Sequence, residues 1–409
     1  MRGLTDRFAD VLARRLAPES PGPIAVALSG GGDSVALTLM TADWARRHQR
    51  PLAILTVDHR LNPASADWTR ACGALAARLG GDFHSLAWTG DKPVTGLPAA
   101  ARAARHRLLA DATRGIGAGI LLLGHTADDR AEGQAMRAAG STTPDPREWS
   151  PSPAWPEGRG VFLLRPLLNL RRTELRTWLA GRGESWIEDP ANGDPRFARA
   201  RARLAGVAEP GSAAAEVCGL AELARQVRDD TGLSLDRDAL RRAAPNAARA
   251  LTGIACLCAS GTTRPPRGDR LDRLVQALRG ETSLVATLGG ARIEADSRTV
   301  RWLREAGEIG RRGSGELDLA QGERGIWDGR FEVSAFRPVR VRPLAGRAAR
   351  LSPGARAALA RWPAAARGGL PATDDVTCPA VESVPGVVFR PLALPRLMAA
   401  CGAVEREPI

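Results

Sequence analysis

Two polar stretches interrupt an otherwise apolar pattern in the first half of the chain. The first, SGGGDS at 29–34, follows the apolar run PIAVALS and precedes a helix-like segment. Glycines at such a turn let backbone N–H groups point into one concavity, and the helix N-terminus adds partial positive charge. This chemistry binds phosphate. The alternative is a tight strand-to-helix turn that needs glycine only for packing, although three glycines with flanking serines are more than such a turn requires.

The spacing of these glycines excludes two common phosphate-binding loops. No lysine follows them, as G-x-x-x-x-G-K-S/T requires, and GGGDS does not match G-x-G-x-x-G. The sequence therefore predicts a phosphate site of a different kind.

The second stretch, HTADDRAE at 125–132, groups one histidine with three carboxylates. On a helix Asp128 and Glu132 lie four residues apart and Asp129 and Glu132 three apart, so they share a face. With His125 at the preceding strand end, the group is predicted to open onto the same ligand. The alternative is a solvated charged face with a helix N-cap.

Strand-like and helix-like segments alternate along the first half of the chain. Both polar stretches lie where a predicted strand ends and a predicted helix begins. Predicted strands lie at 23–29, 52–59, 82–88, 118–125 and 161–170, and predicted helices at about 34–47, 64–79, 97–115, 127–139 and 172–183. This alternation predicts an α/β fold with a doubly wound, mostly parallel, Rossmann-like sheet, whose ligands bind beyond the carboxyl ends of the strands. The Pro-, Ser- and Gly-rich segment 141–160 is predicted to be a long surface loop.

Three domains are predicted. The alternation stops near residue 205, which gives a catalytic domain at 1–205. A helical domain is predicted at 206–282, and a mixed α+β domain at 283–409. In the last, the Asp-Gly pair of WDGR predicts a hairpin turn.

The composition favours a polyanionic partner. The formal net charge is +13, and such an excess favours nucleic acid over an anionic membrane surface. The alternative is compositional drift, since Lys92 is the single lysine and tyrosine is absent. The six cysteines form no C-x-x-C pair, which fits a reducing, cytoplasmic location. No apolar run approaches the ~20 residues that span a bilayer.

SGGGDS resembles the S-G-G-x-D-S signature of the PP-loop ATP pyrophosphatases, which cleave ATP between the α and β phosphates and adenylate their substrates. Within that superfamily, further stretches resemble segments of the tRNA(Ile)-lysidine synthases. They are VDHRLNPASADW at 57–68, AAARAARHRLL at 99–109, LLLGHTADDRAEGQAMR at 121–137, RPLLNLRRTELRTWL at 165–179 and EDPANGDPRFARARARL at 188–204. The resemblance covers about residues 20–205.

The resemblance implies a reaction. These enzymes join free L-lysine to C2 of the wobble cytidine in the CAU anticodon of an isoleucine tRNA. Adenylation by ATP releases pyrophosphate and converts the C2 oxygen into a leaving group, and the lysine ε-amine then displaces AMP. Such a site needs a phosphate cradle, Mg²⁺, an anionic pocket for lysine and a basic track for RNA.

The resemblance also implies roles on the nucleotide side. The phosphate loop consists of Ser29, Gly30, Gly31, Gly32, Asp33 and Ser34. Asp33 would also hold Mg²⁺ against the pyrophosphate. Asp58 and His59 would lie beside the nucleotide, with a strand-terminal turn as the alternative. Arg102 and Arg105, three apart on one helical face, would meet triphosphate or tRNA phosphate, unless they are ordinary surface arginines.

On the lysine and RNA side, Asp129 and Glu132 would hold the lysine cation or its activating base, and His125 would touch the nucleotide or its phosphates. Arg199, Arg201 and Arg203 would form a basic edge for the anticodon stem, with a solvated charge run as the alternative. The chain also departs from the family pattern at Pro98, Thr126, Arg130, Gly133 and Ala200. The sequence does not indicate an oligomeric state.

Three other functions fit the sequence less well. A tRNA thiolase would carry paired cysteines, which are absent. A synthetase of asparagine or GMP type would need a glutaminase module, and its substrates give the basic charge no purpose. A catalytically decayed tRNA-binding protein would bind tRNA without releasing pyrophosphate, whereas release without tRNA would indicate a small-molecule synthetase.

Overall fold

The central strand of the first sheet, β1 (Ile24–Ala27), is apolar throughout and almost completely buried. It pairs in parallel with β2 (Leu52–Asp58) on one side and β4 (Ile120–Leu122) on the other. Such apolar runs are typical of parallel strands covered on both faces. The computed structural model describes residues 3–141, 145–189, 201, 217–311 and 315–408.

The strand order of this sheet is β3-β2-β1-β4-β6-β5. β3 (Asp82–Ala87) and β6 (Phe162–Leu164) are parallel to their neighbours, and β5 (Trp149–Pro151) is antiparallel at the edge. The order reverses between β1 and β4, which is the point where such sheets bind ligands beyond the strand ends. The predicted doubly wound, mostly parallel sheet is confirmed.

The prediction of a loop throughout 141–160 is wrong at β5. This strand has three residues, one of them proline, and pairs only with β6. Proline is tolerated there because an edge strand needs no donor on its open side.

Helices cover both faces of the sheet. They are α1 (Leu4–Arg15), α2 (Gly32–Arg47), α3 (Ser65–Leu79), α4 (Leu97–Gly115), α5 (Ala127–Ala138) and α6 (Arg172–Ala180). Ala25, Leu55 and Leu163 from neighbouring strands pack with Leu109 of α4 in one buried cluster. α2 contacts β1, β2 and α6, and most of its residues are buried. Among the described residues, no helix combines the length and apolar character needed to cross a membrane.

The chain divides into two compact units. The first unit contains Met1–Ala215 together with Val404–Ile409, and the second contains Glu216–Ala403. Most of the first unit thus precedes the second in the chain, and its last few residues follow it.

In the second unit, an antiparallel sheet of order β7-β8-β11-β10-β9 packs against helices around one core. Its strands are β7 (Arg228–Asp229), β8 (Leu233–Asp236), β9 (Leu284–Leu288), β10 (Ala291–Ala295) and β11 (Thr299–Arg304). The helices of the unit are α7 (Leu220–Arg225), α8 (Arg237–Arg242), α9 (Pro245–Ala259), α10 (Asp269–Arg279), α11 (Ala306–Arg311), α12 (Pro353–Leu359), α13 (Ala364–Arg367) and α14 (Ala393–Ala400).

Two three-stranded sheets complete the second unit, with orders β12-β15-β16 and β13-β14-β17. Their strands are β12 (Leu317–Leu319), β13 (Arg324–Trp327), β14 (Phe331–Ala335), β15 (Val339–Pro343), β16 (Pro371–Thr373) and β17 (Val387–Pro391). The predicted WDGR hairpin is confirmed, because Trp327 pairs with Phe331 and both Asp328 and Gly329 have positive φ angles.

The middle of the chain is not purely helical as predicted. β7 and β8 lie inside 206–282 and β8 pairs with β11, so this sheet extends across the predicted boundary at 282. The buried Leu233 and Leu235 alternate with less buried neighbours, but four residues are too short a run for a clear period.

The segment 404–408 packs on the first unit as a strap. The carboxylate of Glu407 receives hydrogen bonds from both Nη atoms of Arg50, at 2.8 and 2.9 Å, and one from the backbone N–H of Ala17 at 3.1 Å. Both charged side chains are almost fully buried, 1% exposed for Arg50 and 4% for Glu407. The indole of Trp149 donates to the carbonyl of Val404 at 2.7 Å.

Candidate active site

The loop between β1 and α2 is closed by its own serines. Ser34 Oγ accepts the Ser29 N–H at 3.2 Å, donates to the Gly31 carbonyl at 2.8 Å and lies 3.1 Å from Ser29 Oγ. The hydroxyl of Ser34 therefore holds the shape of the loop. α2 begins at Gly32, and the N–H groups of a first helical turn have no partners within the helix. These donors converge at the carboxyl end of β1, as a phosphate cradle requires.

The three glycines of this loop have different surroundings. Gly30 has a φ of +84°, and a Cβ there would lie 2.4 Å from Ile187 Cδ1. A Cβ on Gly32 would touch the ring of Trp186. Gly31 differs, because its φ is −70° and a Cβ would meet nothing closer than Ser29 Oγ at 3.8 Å. Contacts with the described residues do not require glycine at 31, and the bare backbone leaves space that a ligand can fill.

Three carboxylates from two helices converge on one arginine. Arg172, the first residue of α6, donates from Nε to Asp33 Oδ2 and from Nη1 to Glu132 Oε1, both at 3.1 Å. Its Nη2 lies 3.7 Å from Asp129 Oδ1. Burial opposes the charge of Arg172, but the attraction of these carboxylates outweighs it and raises the pKa of Arg172 above its usual value.

Asp33 lies at the start of α2, where it faces this cluster. Burial raises the pKa of its carboxyl, and the neighbouring Arg172 opposes that rise. Its Oδ1 is buried and accepts no hydrogen bond from any residue that the structure describes. A carboxylate oxygen of this kind is suited to Mg²⁺, which binds one or two carboxylates together with phosphate oxygens and water. The described residues hold no group of three His, Cys, Asp or Glu side chains with metal-site geometry.

Asp129 also caps its own helix. Its Oδ2 accepts the backbone N–H of Thr126 at 2.7 Å and the Thr126 hydroxyl at 3.0 Å. One carboxylate oxygen of Asp129 therefore belongs to the helix N-cap, which was the alternative interpretation. The other oxygen faces Arg172. Thr126, a departure from the family pattern, completes this cap. Gly133 and the buried Arg130 lie on the same helix, and Arg130 Nη1 is 3.4 Å from Asn169 Oδ1.

A basic group lies at the same edge of the sheet. Arg165, directly after β6, donates from Nε to His125 Nδ1 at 3.1 Å, so a neutral His125 carries its proton on Nε2. Burial, together with the positive charges of Arg102 and Arg105 on α4, lowers the pKa of Arg165 to about 10. Burial and the same two arginines lower the pKa of His106 to about 3. The cations are therefore close enough to repel one another, which favours an anionic ligand.

Asp58 and His59 end β2 at this edge. Asp58 Oδ1 accepts the backbone N–H of Arg60 at 2.7 Å, as in the strand-terminal turn that was the alternative interpretation. His59 Nδ1 is buried without a hydrogen-bond partner among the described residues. Burial lowers the pKa of His59, and Arg105 lowers it further. A neutral imidazole beside the phosphate loop can contact a nucleotide.

The structure brings together most of the predicted site residues. The loop 29–34, Asp58, His59 and His125 follow parallel strands, so they share the carboxyl edge of the sheet. Asp33, Asp129 and Glu132 share Arg172 as a partner. Arg199 and Arg203 lie outside the described residues, and Arg201 is exposed.

Sequence reasoning missed Arg165 and Arg172 as site residues. Both lie in the stretch RPLLNLRRTELRTWL, which carried part of the resemblance. The signal that could have found them is position, since Arg165 follows a strand and Arg172 begins the next helix. Both positions place side chains at the carboxyl edge of the sheet.

The arrangement combines a cluster of carboxylates with a cluster of cations beside a phosphate-type loop. The loop and the arginines can hold a polyphosphate, and the three carboxylates already hold one cation. Such a site can bind a nucleoside triphosphate and a cationic substrate together.

Comparisons with known proteins identify relatives of this chain. A model of the PP-loop domain matches residues 4–207. The tRNA(Ile)-lysidine synthase of Caulobacter vibrioides is 47% identical over 421 residues, which covers 99% of each chain. The tRNA(Ile)-lysidine synthase of Hyphomonas neptunium is 38% identical over 67% of this chain and 79% of its own. Among solved structures, the U34-tRNA thiolase NcsA of Methanococcus maripaludis gives a TM-score of 0.40 at 16% identity over 49% of this chain and 70% of its own. With a relative that matches along nearly its whole length and a PP-loop domain at its N-terminus, this chain belongs to the tRNA(Ile)-lysidine synthase family.

Proposed function

We propose that this protein uses ATP to join free L-lysine to C2 of the wobble cytidine in the CAU anticodon of an isoleucine tRNA. The tRNA is first adenylated, with release of pyrophosphate, and the lysine amine then displaces AMP. Membership of the family supports this proposal, and so does the pairing of a cluster of carboxylates with a cluster of cations.

One observation carries the ATP step. Gly31 presents bare backbone at the start of α2, although no contact with a described residue requires glycine there. A phosphate group of ATP fits this position, because it can approach the amides of 31–33 without meeting a Cβ. Mg²⁺ on Asp33 Oδ1 would neutralise charge on the departing pyrophosphate.

We assign the cationic amine of lysine to the carboxylates of α5. Asp129 and Glu132 already hold the guanidinium of Arg172, which shows that a cation is stable at this point. Burial strengthens that interaction, since Glu132 has a side chain only 1% exposed. Arg165 positions His125, whose Nε2 can then donate to the nucleotide or its phosphates.

We also assign the residues that contact the tRNA. Arg102 and Arg105 would meet triphosphate or tRNA phosphate, and Arg199, Arg201 and Arg203 would follow the anticodon stem. The predicted domains at 206–282 and 283–409 would bind the remainder of the tRNA. The second unit, Glu216–Ala403, contains nearly all of both.

The proposal as a whole is tested by pyrophosphate release. With the purified full chain, release should require ATP, a tRNA with a CAU anticodon and lysine together for multiple turnovers. Release with ATP and lysine but no tRNA would refute it in favour of a small-molecule synthetase. Tight tRNA binding with no release would refute it in favour of a decayed module.

Replacing Gly31 with alanine is expected to weaken ATP binding at least about tenfold while leaving the protein folded. The extended backbone at 31 accepts an L residue, and the added methyl group meets only Ser29 Oγ. Equilibrium binding of ATP and the melting temperature are the two measurements. Gly30→Ala is the contrasting variant, because its methyl group would meet Ile187 and should lower the melting temperature. If Gly31→Ala bound ATP as tightly as the parent protein, the assignment of this loop as a phosphate-binding site would be wrong.

Replacing Glu132 with glutamine is expected to raise the KM for lysine about tenfold or more and to leave the KM for ATP unchanged. The amide keeps the shape of the side chain but loses the charge that attracts an ammonium group. Steady-state pyrophosphate release measures both constants. Glu174→Gln is the matched control, since Glu174 caps α6 at the N–H of Arg171 and an amide oxygen can still accept that bond. If the KM for lysine and the KM for ATP changed equally, the assignment of Glu132 to lysine binding would be wrong.

A further inference from the structure

The single lysine of the chain lies at the edge of the sheet that carries the site. Of the 58 lysine and arginine residues, only Lys92 is lysine. It belongs to the segment that leaves β3 toward α4. Lysine differs from arginine in presenting a compact charge with three rotatable donors, so the place where this chain retains one is informative.

Lys92 is held in a defined position. Its Nζ donates to the carbonyl of Trp88 at 2.6 Å and lies 3.8 Å from the centre of the Trp88 ring. The Trp88 N–H donates to the Asp58 carbonyl at 2.8 Å, which extends the pairing of β3 with β2. The ring of Trp88 also meets that of His59 edge-on at 6.0 Å. The ammonium group is thus fixed beside the proposed nucleotide contacts.

Lys92 forms no ion pair with any carboxylate that the structure describes. The residue is half-buried. The Trp88 carbonyl uses one of its three N–H donors, and the aromatic face attracts the charge without neutralising it. Arg105 and Lys92 both lower the pKa of His59, and the Asp58 carboxylate raises it, so a second cation and one carboxylate lie near this imidazole. A fixed ammonium group that forms no ion pair with a described carboxylate, and that has another cation nearby, is suited to a phosphate oxygen.

The distance along the sheet edge indicates which molecule carries the phosphate group that Lys92 would bind. The loop 29–34 follows β1, whereas Lys92 follows β3, two strands away and therefore about 10 Å along the edge. A triphosphate in the loop lies at the β1 end, and the His59 position between them is assigned to the rest of the nucleotide. The phosphate that reaches Lys92 then belongs to another molecule.

We propose that Lys92, held by Trp88, binds a backbone phosphate of the RNA substrate beside the nucleotide. This inference rests on the proposed function for the identity of the RNA. The contact positions the RNA and takes no part in bond formation.

The absence of other lysines gives a direct test. Reductive methylation of the full chain with ¹³C-formaldehyde labels Lys92 and the terminal amine, and the dimethylated lysine keeps its charge. The Lys92→Arg variant identifies the Lys92 resonance by losing it. The resonance should shift when a tRNA with a CAU anticodon is added and should not shift with ATP and Mg²⁺ alone. A shift with ATP and Mg²⁺ alone, or tRNA binding without a shift, would overturn the inference.

Salt dependence supplies a second measurement. Loss of one phosphate contact reduces the slope of log affinity against log salt by about 0.7–0.9, and this reduction is expected for Lys92→Gln. The matched control is Arg182→Gln, which removes another cation from a tryptophan face, that of Trp178 at 4.6 Å. Arg182 follows the C-terminal end of α6 and so lies toward the opposite edge of the sheet, where the slope should not change. An unchanged slope in Lys92→Gln would refute the contact.

The two proposals fail in different ways. If tRNA shifts the Lys92 resonance but no pyrophosphate is released, the RNA contact stands and the proposed function does not. If turnover requires tRNA and lysine while the Lys92→Gln slope is unchanged, the function stands and the RNA contact does not.

Discussion

Replacing Arg172 with leucine is expected to lower turnover by about 10²–10³-fold. The change removes the cation on which Asp33, Asp129 and Glu132 converge. A loss of turnover of this size corresponds to about 3–4 kcal/mol of transition-state stabilisation, since each ~1.4 kcal/mol is a factor of ten in rate. Repulsion would move the carboxylates from their positions, so both the metal ligand and the lysine pocket would be displaced. Single-turnover pyrophosphate release and lysine binding are the measurements.

Two further variants separate this role from general destabilisation. Arg172→Lys keeps one charge but cannot reach three carboxylates, so its turnover should lie between those of the parent and the leucine variant. Arg171→Leu removes the neighbouring guanidinium, which is 40% exposed and pairs with Asp128 at 3.3 Å. Exposed pairs contribute about 0–1 kcal/mol, so this control should retain most of its activity. Equal losses in Arg171→Leu and Arg172→Leu would contradict the assignment.

Replacing Glu407 with alanine is expected to lower the free energy of unfolding of the first unit by about 3–5 kcal/mol. Arg50 would remain buried with a guanidinium that lost both of its carboxylate bonds. Its remaining bonds run to the carbonyls of Gly22 and Ala17, which cannot neutralise the charge. Because the chain has two units, hydrogen exchange at the amides of β1 and β2 should be measured in place of a single global transition.

The control for this variant is Asp67→Ala. Asp67 pairs with Arg70 on α3, and both side chains are more than half exposed, so less than about 1 kcal/mol should be lost. Glu407→Gln keeps the shape of the side chain without the charge and should be intermediate. Exchange that is equally fast in Asp67→Ala and Glu407→Ala would show that the buried pair adds nothing beyond an exposed one.

The phosphate loop could be predicted from the sequence because its determinants are local. Ser29 to Ser34 lie between an apolar strand and a helix, and the serines that close the loop are five residues apart. The acidic face of α5 follows from helical spacing in the same way. Their partner, Arg172, could not be predicted from local spacing. Arg172 meets Asp33 across 139 residues and Glu132 across 40, and no local pattern distinguishes it from the adjacent Arg171.

The fold shows the same division. The parallel strands and their helices were predictable from repeated apolar runs, whereas β5, β7 and β8 were not, because two to four residues carry no measurable period. The strap is the extreme case. Nothing near Glu407 in the sequence indicates a buried partner 357 residues earlier.

That separation has a consequence for biosynthesis. At about 5–20 residues per second, the ribosome needs roughly 20–70 s to go from Arg50 to Glu407. Throughout this interval the guanidinium of Arg50 in the nascent domain lacks the carboxylate of Glu407. A nascent chain arrested before Glu407 should therefore be much more sensitive to protease than the released protein.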